Sequence, residues 1–113
     1  VVDEDVQGYI DGIDPANRPL FDRVHGLIRE VCPEVEVTFA YKMPTFVQGE
    51  RGLHVASWKH GLSFYGWQRD RDAGFADRHP DLAGPKGTLR LSPKAAEDIG
   101  DDELRDFLRA VFS

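Results

Sequence analysis

The sequence predicts an α+β two-layer sandwich, an antiparallel sheet packed against helices at its two ends. Three observations point there. An apolar stripe at helical spacing runs through residues 20–31, and a second one closes the chain at residues 104–112. Between them lie short runs of strand-favouring residues, broken at regular intervals by glycine and proline. At 113 residues the chain suits one domain spanning 1–113, because two halves would each be too small to bury a core of their own.

Val2, Val6, Tyr9, Ile10 and Ile13 recur at three- and four-residue steps behind Asp3, an N-cap signal, and predict a short first helix weakened by Gly8 and Gly12. Asp14-Pro15 reads as a fresh start: an aspartate cap followed by proline at the first helical position, where the missing N–H is harmless. Leu20, Phe21, Val24, Leu27, Ile28 and Val31 supply that helix with its apolar face, and Pro33 ends it. Cys32, at the boundary, reads as a small buried hydrophobe.

Residues 33–46 are expected to form the central stretch of the sheet, a strand that runs into a proline-marked bend. Alternation sends Val35, Val37, Phe39 and Tyr41 to one face and Glu36, Thr38, Ala40 and Lys42 to the other. Pro44 breaks a ladder, so Met43-Pro44-Thr45-Phe46 is an edge, a bulge or a bend, and residues 48–52 are a turn. A hairpin follows, with arms at 53–58 and 62–67. A two-residue loop at His60-Gly61 groups His54, Ala56 and Trp58 with Ser63, Tyr65 and Trp67, leaving Leu53, Val55, Leu62 and Phe64 for the core. A three-residue loop puts Trp58 beside Leu62 and Phe64 instead; the first register is preferred.

Residues 68–79 are highly charged and predict a surface loop with a short helix anchored by Phe75, with Leu82 as a second anchor, closed by Pro80. Gly84-Pro85-Lys86-Gly87 connects to a short strand at 88–91, and Ser92-Pro93 repeats the cap-then-proline signal for a brief helix. The last helix has Asp101, Asp102 and Glu103 at its start, Arg105 and Arg109 further along, and a stripe of Leu104, Phe107, Leu108, Val111 and Phe112.

The 20 acidic and 14 basic residues leave a net charge of −6, which argues against nucleic acid or anionic membrane surfaces as partners. One cysteine cannot form an internal disulfide, no apolar run approaches the ~20 residues of a membrane span, and no signal-peptide pattern is present, so a cytoplasmic location is expected.

Several segments together resemble the YdhG-like family of small bacterial domains of largely unknown function. They are the helix at 20–31 running into Cys32-Pro33-Glu34, the Tyr41-Lys42-Met43-Pro44-Thr45-Phe46 segment, Trp58-Lys59-His60 leading to Phe64-Tyr65, and Lys86-Gly87-Thr88-Leu89-Arg90. The resemblance implies a frataxin-like fold and, since a member is described as an intracellular iron chaperone, iron handling with an iron-accepting protein as partner. The stretch from Ser92 to Gly100 departs from the family's smoother passage from strand to helix.

Three chemistries are weighed. Weak iron binding calls for exposed oxygen ligands, and Asp3, Glu4, Asp5, Asp11 and Asp14 cluster around the first helix, although acidic residues at a helix start also simply complement its dipole. No paired-histidine or paired-cysteine spacing suggests a tight metal site. A non-catalytic site for a small anionic or aromatic ligand, or for a protein, is assembled from Tyr41, Lys42, Phe46, Trp58, Lys59, His60, Tyr65 and Lys86, residues that otherwise serve sheet packing and strand edges. An enzyme is disfavoured: His25, His54, His60 and His79 accompany no nucleophile motif. The protein is accordingly expected to bind rather than transform its ligand, as a monomer or as a homodimer joined through an exposed edge or tryptophan.

Overall fold

The computed structural model describes residues 4–67, 72–84 and 88–112. Helix α1 (Glu4–Asp11) and helix α2 (Arg18–Val31) lead into strands β1 (Glu36–Ala40), β2 (Met43–Gln48), β3 (Arg51–Trp58) and β4 (Gly61–Tyr65). A four-residue helix α3 (Phe75–Arg78), strand β5 (Leu89–Leu91), helix α4 (Pro93–Glu97) and helix α5 (Asp101–Phe112) complete the chain. The strands form one antiparallel sheet in the order β1-β2-β3-β4-β5. An α+β architecture with helices from both ends is therefore what the sequence builds.

Helix α2 begins later than expected. Asp14 does not cap it; its Oδ1 accepts from the Ala16 N–H at 2.8 Å, closing a local turn. The helix starts at Arg18, with Pro19 in its first turn and Asn17 at the cap position. The Asn17 side chain is used elsewhere, donating to the Trp58 carbonyl at 2.7 Å and tying the helix start to the end of β3. Ser92 does act as foreseen: its hydroxyl accepts from the Ala95 N–H, and Pro93 opens α4. Val2 and Asp3, assigned to the first helix, and residues 68–71 lie outside the described residues.

The segment expected to be central is an edge. The chain reverses at Tyr41-Lys42, before Pro44, and both residues take the left-handed conformation, at φ 52° and 62°. That geometry is a two-residue hairpin turn whose twist matches the flanking strands but which favours Asn and Gly. Met43 to Gln48 is consequently a continuous strand paired with β1, and Pro44 lies buried within it, opposite Phe39. One step beyond the pair that flanks the turn, its nitrogen points away from β1, and the β2–β3 ladder begins only at Thr45 opposite His54. No ladder hydrogen bond is lost there.

All the helices lie on one face. Phe46, Leu53, Val55, Leu62, Phe64, Leu89 and Leu91 point toward them and are buried, joining Leu27 and Ile28 of α2 and Phe107 and Leu108 of α5 in one core. The Phe107 ring meets Phe64, Trp67 and Phe75 at 6.4, 6.0 and 4.8 Å. Trp67 thus belongs to the helix side, not to the face shared by His54 and Ser63: β4 ends at Tyr65, and Gly66 at φ 87° swings the chain over. Between β3 and β4 the two loop residues are Lys59 and His60, with Trp58 opposite Gly61. The expected face assignment of the arms survives this one-residue change of loop up to Tyr65. Gly61 is obligatory for another reason, since a Cβ there would collide with the Leu91 carbonyl.

Phe75 and Ala76 anchor α3 in the core, and the buried Asp72 holds its start. The Asp72 carboxylate accepts from the Gly74 N–H at 2.9 Å and the Ala76 N–H at 3.0 Å. Cys32 is buried as expected, with its Sγ against Gln48 Oε1; burial, with help from Glu34, pushes the thiol pKa up.

Candidate functional site: the open face of the sheet

Strand alternation that sends leucines and phenylalanines toward the helices sends a different set the other way. Thr38, Thr45, His54 and Tyr65 face one another across four strands, and Ala56, Ser63 and Arg90 form the next row. Thr45 and Ser63 are only 4% and 3% exposed although the helices among the described residues pack on the other face. They form a floor of small side chains sunk between larger neighbours.

Those neighbours are His54, Tyr65, Trp58, Arg90 and the turn residue Tyr41. The Tyr41 ring, on a residue 82% exposed, stands edge-on to the His54 imidazole at 5.4 Å. His54 Nδ1 lies 2.7 Å from the Thr45 hydroxyl, which fixes the ring plane, and burial holds its pKa below the ordinary value, so the ring is mainly neutral at pH 7. Trp58 is half-buried, with the His60 ring edge-on at 5.0 Å and the Arg90 guanidinium 5.1 Å from its centroid.

Arg90 differs from five of the six arginines on the helices, the sixth, Arg29, donating to His25 at 3.1 Å. Arg18, Arg23, Arg78, Arg105 and Arg109 each pair with a carboxylate, at 3.0, 2.7, 2.6, 3.0 and 3.3 Å. Among the described residues Arg90 has no carboxylate partner, only the face of Trp58. Beside it a recess of about 480 Å³ opens at the margin of the sheet. Tyr65, Thr88, Arg90 and residues 81–84 line it. The two segments are joined by backbone: the Arg90 N–H donates to the Leu82 carbonyl at 2.9 Å, and the Gly84 N–H donates to the Thr88 carbonyl.

Of the residues nominated for ligand binding, Tyr41, Trp58 and Tyr65 come together on this face, and Lys42, Lys59 and His60 sit exposed on the flanking turns. Phe46 does not belong. It is 1% exposed on the helix side, against the His25 ring at 5.3 Å, because one step of strand alternation separates it from Thr45. Lys86 lies outside the described residues. Arg90, His54 and Asp81 were not nominated. Leu89-Arg90-Leu91 did carry a signal, since two buried leucines force the residue between them onto the opposite face.

The acidic residues are spread out. Glu4 and Asp5 occupy the first turn of α1, while Asp11 at its far end accepts from Gln7 and Asp14 holds Ala16. Asp3 is outside the described residues. Among the described residues no three Asp, Glu, His or Cys side chains converge on a point where a metal ion would fit. The histidines also have separate places: His25 packs between Phe21 and Phe46, and His79 binds Glu103. No helix among the described residues is long and apolar enough to cross a membrane.

Compared with known proteins, the chain matches no family model, no curated protein and no solved structure. Its functional reading therefore rests on the site.

Proposed function

We propose that the protein is a small-ligand binding module whose open sheet face accepts a molecule bearing an anionic group and a flat or apolar body. Arg90 is the observation that carries this reading. Its guanidinium lies over the Trp58 ring, 5.1 Å from the centroid, and has no acidic partner among the described residues, so its N–H groups are available for a carboxylate or phosphate. Trp58, Tyr65 and Tyr41 offer aromatic surface on the same face. The neutral His54, oriented by Thr45, adds a polar group without a competing charge.

Iron handling, as the YdhG-like resemblance implies, draws less support, since the carboxylates of Glu4, Asp5, Asp11 and Asp14 do not converge. One titration separates the two readings. Benzoate added to the ¹⁵N-labelled protein is expected to shift the amide signals of Tyr65 and Arg90 and the Trp58 indole signal, and Arg90→Gln is expected to remove the response. Equal benzoate binding by Arg90→Gln would overturn the open-face reading. Ferrous iron broadening confined to residues 4–14 would favour the metal.

A further inference from the structure

We infer that the recess beside β5 is built for a zwitterion of the α-amino acid class, with the ligand carboxylate on Arg90 and its ammonium on Asp81. This rests on the open-face reading and narrows it. Arg90 and Asp81 both line this recess, and among the described residues neither forms an ion pair, with the other or with any third group. The Arg90–Leu82 backbone hydrogen bond ties the two segments together, so residue 81 is held next to a fixed point on β5. Two opposite charges that line one recess without pairing are complementary to a molecule that carries both charges.

Other ligand classes fit less well. A phosphate or dicarboxylate would bring a second negative charge toward Asp81, on a chain of net charge −6. A simple amine would satisfy Asp81 but leave its own positive charge facing Arg90. An amino acid satisfies both, and Tyr65, Leu82 and Thr88 line the same recess. A volume of about 480 Å³ falls within the ordinary range of small-molecule sites and suits a molecule of this size.

The test uses the full chain and three probes that share one ring: L-phenylalanine, 3-phenylpropionate, which lacks the ammonium, and phenethylamine, which lacks the carboxylate. Dissociation constants are read from amide shifts at Tyr65, Thr88 and Arg90. Phenylalanine is expected to bind about tenfold more tightly than either analogue, as one added charge-assisted hydrogen bond at a partly exposed site allows. Asp81→Asn, at an exposed position where the fold is not at stake, should lower phenylalanine to the level of phenylpropionate. If phenylpropionate binds the unaltered protein as tightly as phenylalanine, the zwitterion is wrong and the open-face reading stands. If phenethylamine binds most tightly, or if no probe shifts these signals, both fall.

Discussion

The two faces of the sheet are made by the same strands, one residue out of step, and they solve opposite problems. Toward the helices Phe46, Leu53, Val55, Leu62, Phe64, Leu89 and Leu91 fill the centre with large apolar side chains, and five arginines of that layer are paired with carboxylates. Arg23 alone donates to Asp101 at 2.7 Å and to the carbonyls of Ala96 and Ile99 at 3.0 and 2.6 Å, holding the approach to α5 against α2. Toward the other side the centre is Thr45, Ala56 and Ser63, the rim is aromatic, and Arg90 is left with a ring for a partner. Stability is concentrated on the first face, and open chemical capacity on the second.

Adjacent residues on β4 give the sharpest way to break that contrast. Phe64→Ala empties a fully buried position beside Phe107 and should lower unfolding free energy by about 3–5 kcal/mol, whereas Tyr65→Ala, one residue on and half-buried, should cost roughly 1 kcal/mol or less. Urea unfolding midpoints measure both, and equal losses would mean that the open face is a second core. The arginines provide a smaller effect of the same kind. Removing Arg23 strands two carbonyls and a carboxylate and should cost about 1–3 kcal/mol, while Arg90→Gln should stay within about 0.5 kcal/mol of the parent.

Acid should reveal the smallest difference, and it belongs to the helical layer. Burial raises the Glu103 pKa, but hydrogen bonds and positive charge from Arg78 at 2.6 Å and His79 at 3.0 Å outweigh burial and hold the carboxyl below its ordinary value. A lowered folded-state value means that the contribution is complete above the unfolded carboxyl's range and is lost as pH falls through the folded one. Glu103→Gln should therefore be less stable than the parent at pH 7, and the gap should narrow below about pH 4. A gap independent of pH in thermal melts would show that Glu103 matters by packing and not by charge.

Much of the helical layer was legible in advance because its signals are local. The stripe from Leu104 to Phe112 stays in register with a helix whatever it packs against, and Ser92-Pro93 carries its own cap and stop. Pro44 misled for the complementary reason. A proline says that one N–H is missing, not which neighbour would have needed it, and here the β2–β3 ladder had not yet begun. Tyr41 misled similarly: alternation extends a strand through it, but the turn spends Tyr41 and Lys42 at positive φ, which their side chains disfavour and only the surrounding ladder enforces.

The site was legible in its parts and not in its assembly. Trp58 and Tyr65 were marked by composition; Phe46 was wrongly placed among them, and Arg90 and Asp81 were passed over because nothing next to them in sequence shows their neighbours. Local signals in the sequence are enough for an α+β chain with two packing helices and turn-broken strands between them, since helical period, caps and strand alternation act over a few residues. It takes the folded chain to make β1 the edge, to set Tyr41 edge-on to His54, and to bring Arg90 over Trp58 and into the lining of the recess that Asp81 also lines. Those outcomes depend on register between strands distant in sequence, and a one-residue step in register moves a side chain to the opposite face of the sheet.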